Sequence, residues 1–203
     1  MRLIVMMGST CAGKTEHGKR IACSFGFRYI SSGAIARSMM DDATAKNFTQ
    51  GQLSPYDKEI VGTIHEELQC ELIGTVLDGF PRTKEHYETL KKWVDPWMKT
   101  KMRSVAPIIV QLDIPSSILW RRAKERARDV FDTRAAAKKR DELYRETTLP
   151  IIQDAVDAGW SLVRLVIEKE LPIDEVQKEL LHELYEFGVR LRQPVGKNVA
   201  RYI

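Results

Sequence analysis

Only three cysteines, Cys11, Cys23 and Cys70, occur in the 203 residues, and no two form a C-x-x-C pair. Their odd number and scattered spacing argue against a disulfide framework or a thiolate zinc knuckle, and they predict a reducing, cytoplasmic setting. Long apolar runs are missing too. The longest aliphatic stretch, near Leu3 to Met7, falls far short of the roughly 20 residues a membrane span needs, and no cleavable leader follows it, so neither anchoring nor export is expected. Repeats and low-complexity segments are absent, which with 43% hydrophobic and 30% charged residues excludes collagen-like and disordered chains and leaves one globular domain. Net charge is also scarce. The +4 excess lies in Arg190, Arg192, Lys197 and Arg201, and residues 1–187 balance 28 basic against 28 acidic side chains, so nucleic acid is not an expected partner.

What is present is an alternation of short β-rich runs and helical stretches. Arg2 to Met7 is a short run, apolar from Leu3 onward, that ends at Gly8, as for a strand buried on both faces. Lys14 to Phe25 predicts a helix stopped by Gly26, and Phe27 to Ile30 a second strand. Thr75–Asp78, Pro107–Asp113 and Ser161–Ile167 add three more strands. Helical patterns cover Asp57–Leu72, Ser116–Arg128, Asp132–Ala158 with a break at Pro150, and Ile173–Phe187. Five strands with helical crossovers predict an α/β fold, a parallel doubly wound sheet with room for a small helical insertion after the second strand.

Gly8-Ser9-Thr10-Cys11-Ala12-Gly13-Lys14-Thr15 matches G-x-x-x-x-G-K-[ST] between a predicted strand and helix. In such a loop the glycines let backbone N–H groups and the helix N-terminus close on a phosphate. Lys14 then reaches the β- and γ-phosphates, and Thr15 offers a hydroxyl to Mg²⁺. The protein is therefore expected to bind a nucleotide. Cys11 within the loop reads as small filler rather than a reactive thiol.

A second constellation, Leu77-Asp78-Gly79-Phe80-Pro81-Arg82-Thr83, narrows the class. Asp78 closing a buried strand is placed to hold a Mg²⁺-bound water, Gly79 permits close backbone approach, and Arg82 offers a planar fork to a phosphate. Here the chain resembles the adenylate kinase-like nucleoside monophosphate kinases, from about Arg2 to Phe187. Ile30-Ser31-Ser32-Gly33-Ala34-Ile35-Ala36-Arg37 is similar to the S-T-G-D-x-x-R segment, Gly51-Gln52-Leu53-Ser54-Pro55 to the G-x-L-V-P stretch lining the monophosphate base, and Arg140 to Pro150 to the R-L-x-x-Y-x-x-x-T-x-P helix.

The resemblance implies a P-loop fold with ATP-dependent transfer to a nucleoside monophosphate, Mg²⁺ as cofactor, and a monomer. Residues 1–187 would form the core, with the monophosphate-binding insertion near 31–60, a short lid near 126–140, and 188–203 as a basic extension. It implies ATP contacts from Gly8 to Thr15 and from Arg122 and Arg126. Monophosphate contacts fall on Ser32, Gly33, Arg37, Gly79, Arg82 and His86, and catalytic roles on Lys14, Arg82, Arg122, Arg140 and a lid arginine, Arg128 in preference to Arg134. Thr15 and Asp78 would serve the metal, Asp78 through water. Between Arg121 and Glu146, ten basic residues face six acidic ones, most of them explicable as a solvated charged helix.

The departures are specific. Thr10 replaces a proline, Cys11 a glycine, and Thr15-Glu16 a Gly-Thr pair, so the metal-binding hydroxyl moves to Thr15. Ala34 stands where an aspartate is usual. His86 occupies the place of a glutamine that reads adenine, leaving open AMP as leading acceptor with CMP, UMP or a deoxynucleotide behind it. A catalytically impaired nucleotide-binding protein is the alternative reading. His17 and His65 are expected to be structural, and Trp93 and Trp97 to pack the crossover helix.

Overall fold

Arg2–Gly8 forms β1, the central strand of a five-stranded, all-parallel sheet. Its neighbours are β3 (Gly74–Asp78) and β4 (Ile108–Asp113), with β2 (Arg28–Ser31) and β5 (Ser161–Val166) at the edges in the order β2-β3-β1-β4-β5. The computed structural model describes residues 2–39, 56–70, 73–99, 106–126 and 134–190.

The sheet holds because alternate residues of β1 bury into opposite faces. Ile4 and Met6 join a cluster with Ile21, Val110, Leu112 and Leu180, while Leu3, Val5 and Met7 join Leu77, Leu90, Ile109 and Ile151. Ile4, Val5 and Met6 are wholly excluded from solvent, each worth about 1.5–3 kcal/mol of transfer free energy. A charge at Val5 would leave an unpaired ion between two layers, so this strand can only be apolar.

Helices cover both faces: α1 (Lys14–Phe25), α2 (Ser32–Met39), α3 (Asp57–Gln69), α4 (Lys84–Lys99), α5 (Ser116–Arg126), α6 (Arg134–Leu143), α7 (Leu149–Asp157) and α8 (Ile173–Glu186). The expected stop of α1 is seen at Gly26, whose φ of 68° closes the helix with N–H bonds to Ala22 and Cys23 carbonyls. Three sequence expectations need correction. The predicted helix from Asp57 ends at Gln69 rather than Leu72, and the second strand starts at Arg28 and runs to Ser31. The break expected at Pro150 lies earlier, in a π-helical segment, Tyr144–Thr148. Pro150 sits in the first turn of α7, where its missing N–H costs nothing. The expected end of the basic helix at Arg128 falls outside the described residues.

Parallel pairing sends every strand the same way, so the C-terminal ends of β1, β3 and β4 open on one edge. Met6 lies opposite Asp78 and Gly8 opposite Leu112, which brings the loop after β1 beside the turn after β3. In an open α/β sheet this crevice is where ligands bind.

Candidate active site

The loop after β1 is shaped by three unusual backbone positions. Gly13 has φ 93° and Cys11 φ 65°, and a Cβ at Gly8 would come within 2.9 Å of the Leu112 carbonyl oxygen. Cys11 thus occupies a left-handed conformation that costs an ordinary side chain about 1–2 kcal/mol. The result is a tight loop closed by the N-terminus of α1, an arrangement that presents backbone N–H groups to an anion. Lys14 curls over it, its Nζ donating to the Gly8 and Ser9 carbonyls at 2.7 Å each.

Asp78 ends β3 with its carboxylate 4% exposed. Its Oδ2 accepts from Thr15 Oγ1 at 2.8 Å and from Tyr29 Oη at 2.6 Å. Burial, followed by the Asp78 charge, pushes the Tyr29 phenol above its ordinary range, so it remains a donor. The pair expected for the metal, Thr15 and Asp78, is therefore in contact across the loop. One carboxylate and one hydroxyl are hard oxygen donors, and among the described residues no group of three or more His, Cys, Asp or Glu could hold a metal ion by itself. That set fits Mg²⁺, which takes one or two protein oxygens and completes its shell with phosphates and water.

Beyond Asp78 the chain turns at Gly79, with φ 77°, into a cis Phe80–Pro81 bond. The turn presents the Gly79 carbonyl to Ser32 Oγ at 2.6 Å and to Arg82 Nε at 2.8 Å. Arg82 Nη2 in turn donates to Ser32 Oγ at 3.4 Å. Arg37 joins them over Gly33: a Cβ there would lie 3.5 Å from Arg37 Nη1 and 3.9 Å from Arg82 Nη2. Desolvation lowers the Arg82 pKa, and the positive charges of Arg140 and Arg37 lower it further against the opposing pull of Asp78 and Asp57. Arg37 and Arg140 each act on Arg82 with charge of the same sign, an arrangement that favours the entry of an anion such as a phosphate.

His86, one turn into α4, is 5% exposed, its ring tilted against Phe80 at 4.8 Å. Its Nε2 lies 2.8 Å from Asp57 Oδ2, and its Nδ1 accepts from the Arg82 backbone N–H at 3.4 Å. On the other flank, Arg122 makes a two-pronged contact with Glu170, Nη2 to Oε2 at 2.7 Å and Nε to Oε1 at 3.1 Å, while Arg121 reaches Oε1 at 2.8 Å. Hydrogen bonds from Arg122 first, and from Arg121, hold the Glu170 carboxyl down at about 2.

The cleft thus gathers Gly8 to Thr15, Ser32, Gly33, Arg37, Asp78, Gly79, Arg82 and His86, with Arg140 near enough to act on Arg82 by charge. Arg134 is directed elsewhere, its guanidinium 5.3 Å from the centroid of Trp120. Arg128, the side chain of Arg126 and the segment Gly51 to Pro55 lie outside the described residues. His17 is buried, its Nδ1 2.9 Å from Gln177 Oε1, and its pKa is lowered by burial. His65 stacks on Trp93 at 4.4 Å, and both Trp93 and Trp97 pack against the core.

Three contributors escape a reading of motifs alone, and a fourth stands in a motif that gives it no role. Tyr29 and Glu170 act on expected site residues from outside any motif, and Asp57 carries no signal except its place after the base-lining stretch. Thr148, the threonine of the T-x-P element, donates from Oγ1 to the Arg82 carbonyl at 2.8 Å.

Comparison with known proteins agrees with this geometry. A family model described as adenylate kinase matches residues 6–157. An adenylate kinase of Phocaeicola vulgatus is 32% identical over 160 aligned positions, covering 73% of this chain and 82% of that protein. One from a Synechococcus species is 29% identical over 89% of this chain and 94% of its own length. Another, from Clavibacter michiganensis, is 26% identical over 97% of this chain and the whole of the relative.

Proposed function

The chain belongs to the adenylate kinase family, is a nucleoside monophosphate kinase moving a phosphoryl group from ATP to a nucleoside monophosphate, and from that premise we propose that AMP is its acceptor and Mg²⁺ its metal. The observation that carries the site assignment is the joining of the phosphate loop to the acceptor arginine through adjacent strands. Thr15 of the loop bonds Asp78, and Asp78 leads directly into the turn whose carbonyl holds Ser32 and Arg82.

Phosphoryl transfer asks a protein for positioning and charge neutralisation rather than a side-chain nucleophile. Lys14 and the N–H groups of Gly8 to Thr15 hold the donor phosphates. Ser32, Gly33, Arg37, Gly79 and Arg82 orient the acceptor phosphate so that its oxygen attacks in line, and Arg140 neutralises charge on the transferring group. Arg122 and Arg126 serve the ATP side, with Arg128 as the lid arginine. Thr15 and Asp78 would hold Mg²⁺, Asp78 through water, and the ion when bound would supply positive charge to the polyphosphate. Exclusion of water protects ATP from hydrolysis.

The names of the relatives support AMP as the acceptor. The scarcity of cysteine and the absence, among the described residues, of any helix long and apolar enough to cross a membrane are compatible with work in the cytoplasm, and a monomer is what the resemblance implies. The test is ADP formation from Mg-ATP against AMP, CMP, UMP, GMP and their deoxy forms, with a control lacking acceptor. AMP should be used best. Lys14→Ala and Arg82→Ala should each lower turnover by roughly 10²–10³-fold with the fold retained, and near-normal activity in either variant refutes the site assignment.

A further inference from the structure

The Arg82 backbone N–H can only donate, so the His86 Nδ1 it meets must hold a lone pair. A neutral imidazole then carries its proton on Nε2, which donates to Asp57 Oδ2 at 2.8 Å. Both ring nitrogens are used within the protein, and the ring face lies against Phe80. His86 therefore has no polar edge left for a base. Asp57 is different: its side chain keeps 29% exposure at the first turn of α3, and His86 engages only one of its two oxygens. His86 meets both the Asp57 carboxylate and the Arg82 backbone, which puts that carboxylate on the Arg82 side of the cleft.

We infer that Asp57 meets the acceptor base, with His86 as the positioning residue that aims it, and that the site takes nucleoside monophosphates whose base carries its amino group at the adenine N6 or cytosine N4 place, where guanine, uracil and thymine have a carbonyl. This rests on the reading of the Arg82 side of the cleft as the acceptor site. An ionised carboxylate only accepts hydrogen bonds. The N6 amino group of adenine and the N4 amino group of cytosine supply donors, whereas uracil and thymine present the O4 carbonyl at the corresponding place. Setting that carbonyl against the carboxylate would leave two acceptors facing each other without a proton. Because Asp57 is partly exposed, water softens the penalty, and discrimination on the order of tenfold to a hundredfold is expected rather than the far larger ratios of fully enclosed sites.

The experiment measures kcat/KM for AMP, CMP, UMP and dTMP at saturating Mg-ATP in the wild type, Asp57→Asn, Asp57→Ala, His86→Phe and His86→Gln. The wild type should favour AMP and CMP over UMP and dTMP. The carboxamide of Asp57→Asn both donates and accepts, as the O4 and N3–H of uracil require, so the AMP-to-UMP ratio should fall by about tenfold or more through KM. Asp57→Ala should lose the preference without gaining UMP. His86→Phe keeps the packing on Phe80 but frees Asp57, and should lower the ratio as well; His86→Gln, which places at this position a side chain able to read adenine itself, should keep AMP preference and serves as the positive control. An unchanged ratio in both Asp57 variants, or a parallel loss for every acceptor, overturns the inference and leaves AMP as acceptor intact. A wild type that prefers CMP to AMP overturns the AMP reading and upholds the amino-group rule. A wild type that prefers UMP or dTMP overturns both.

Discussion

Replacing Gly79 by alanine tests whether the turn after β3 builds the acceptor site. A Cβ at this position would lie 2.7 Å from Ser32 Oγ and 3.5 Å from Arg82 Nη2. The backbone φ of 77° adds the cost of a left-handed alanine, about 1–2 kcal/mol. Ser32 is 4% exposed and has little room to withdraw, so overpacking adds about 1–3 kcal/mol. A total of about 3 kcal/mol should lower Tm by roughly 6–12 °C in a chain of this size. The Ser32 hydroxyl would have to leave the Gly79 carbonyl, and the same carbonyl anchors Arg82 Nε. The KM for the monophosphate should consequently rise by about tenfold or more while that for ATP stays within about twofold. Gly62→Ala is the control, since a Cβ there meets nothing within 4 Å on exposed α3, and it should be neutral or stabilising by up to about 1 kcal/mol. A Gly79→Ala protein with unchanged Tm and unchanged monophosphate KM would refute the reasoning.

Cys11→Gly removes a side chain from φ 65° and should leave Tm unchanged or raise it by up to about 4 °C, whereas Cys11→Val should lower it; thermal melts of the pair decide. Glu170, with its folded pKa depressed from 4.5 to about 2, contributes stability that is full above pH 4.5 and lost as the pH falls toward 2. Glu170→Gln should therefore cost no more than about 1 kcal/mol at neutral pH, given the exposure of the pair, and the Tm difference from wild type should close by about pH 2. Thr148→Val removes the 2.8 Å bond to the Arg82 carbonyl. A loss of about 1 kcal/mol in denaturant titrations and a higher monophosphate KM are expected.

The sheet was legible because buried parallel strands leave continuous apolar runs, and β1 in particular admits no polar residue between its two covered faces. The phosphate loop and the turn after β3 were legible for a related reason: Gly8, Gly13 and Gly79 stand where geometry excludes a Cβ or demands positive φ. Cys11 shows the limit of that rule, since a left-handed position is occupied here by an ordinary side chain. Pair contacts between distant segments were not legible. Tyr29 meets Asp78 because β2 runs beside β3, Glu170 reaches Arg122 across 48 residues, and Asp57 reaches His86 across 29. Pro150 misled the reading of its helix because a proline in a first turn and a proline in a helix interior look alike until the hydrogen bonds are drawn.

The π-helical segment at Tyr144–Thr148 sets a phase. An α-helix advances about 100° per residue, and a π turn absorbs one residue more than an α turn does. The stretch before it carries Arg140 toward Arg82, and the stretch after it turns Ile151 and Ile152 into the core. Winding the same residues as a regular α-helix, with no π turn to absorb the extra one, would rotate one half against the other by about a quarter turn. With the core side held by burial, the displaced half would be the one bearing Arg140. The aim of that arginine is thus governed by how the segment between it and the core is wound as much as by its own identity.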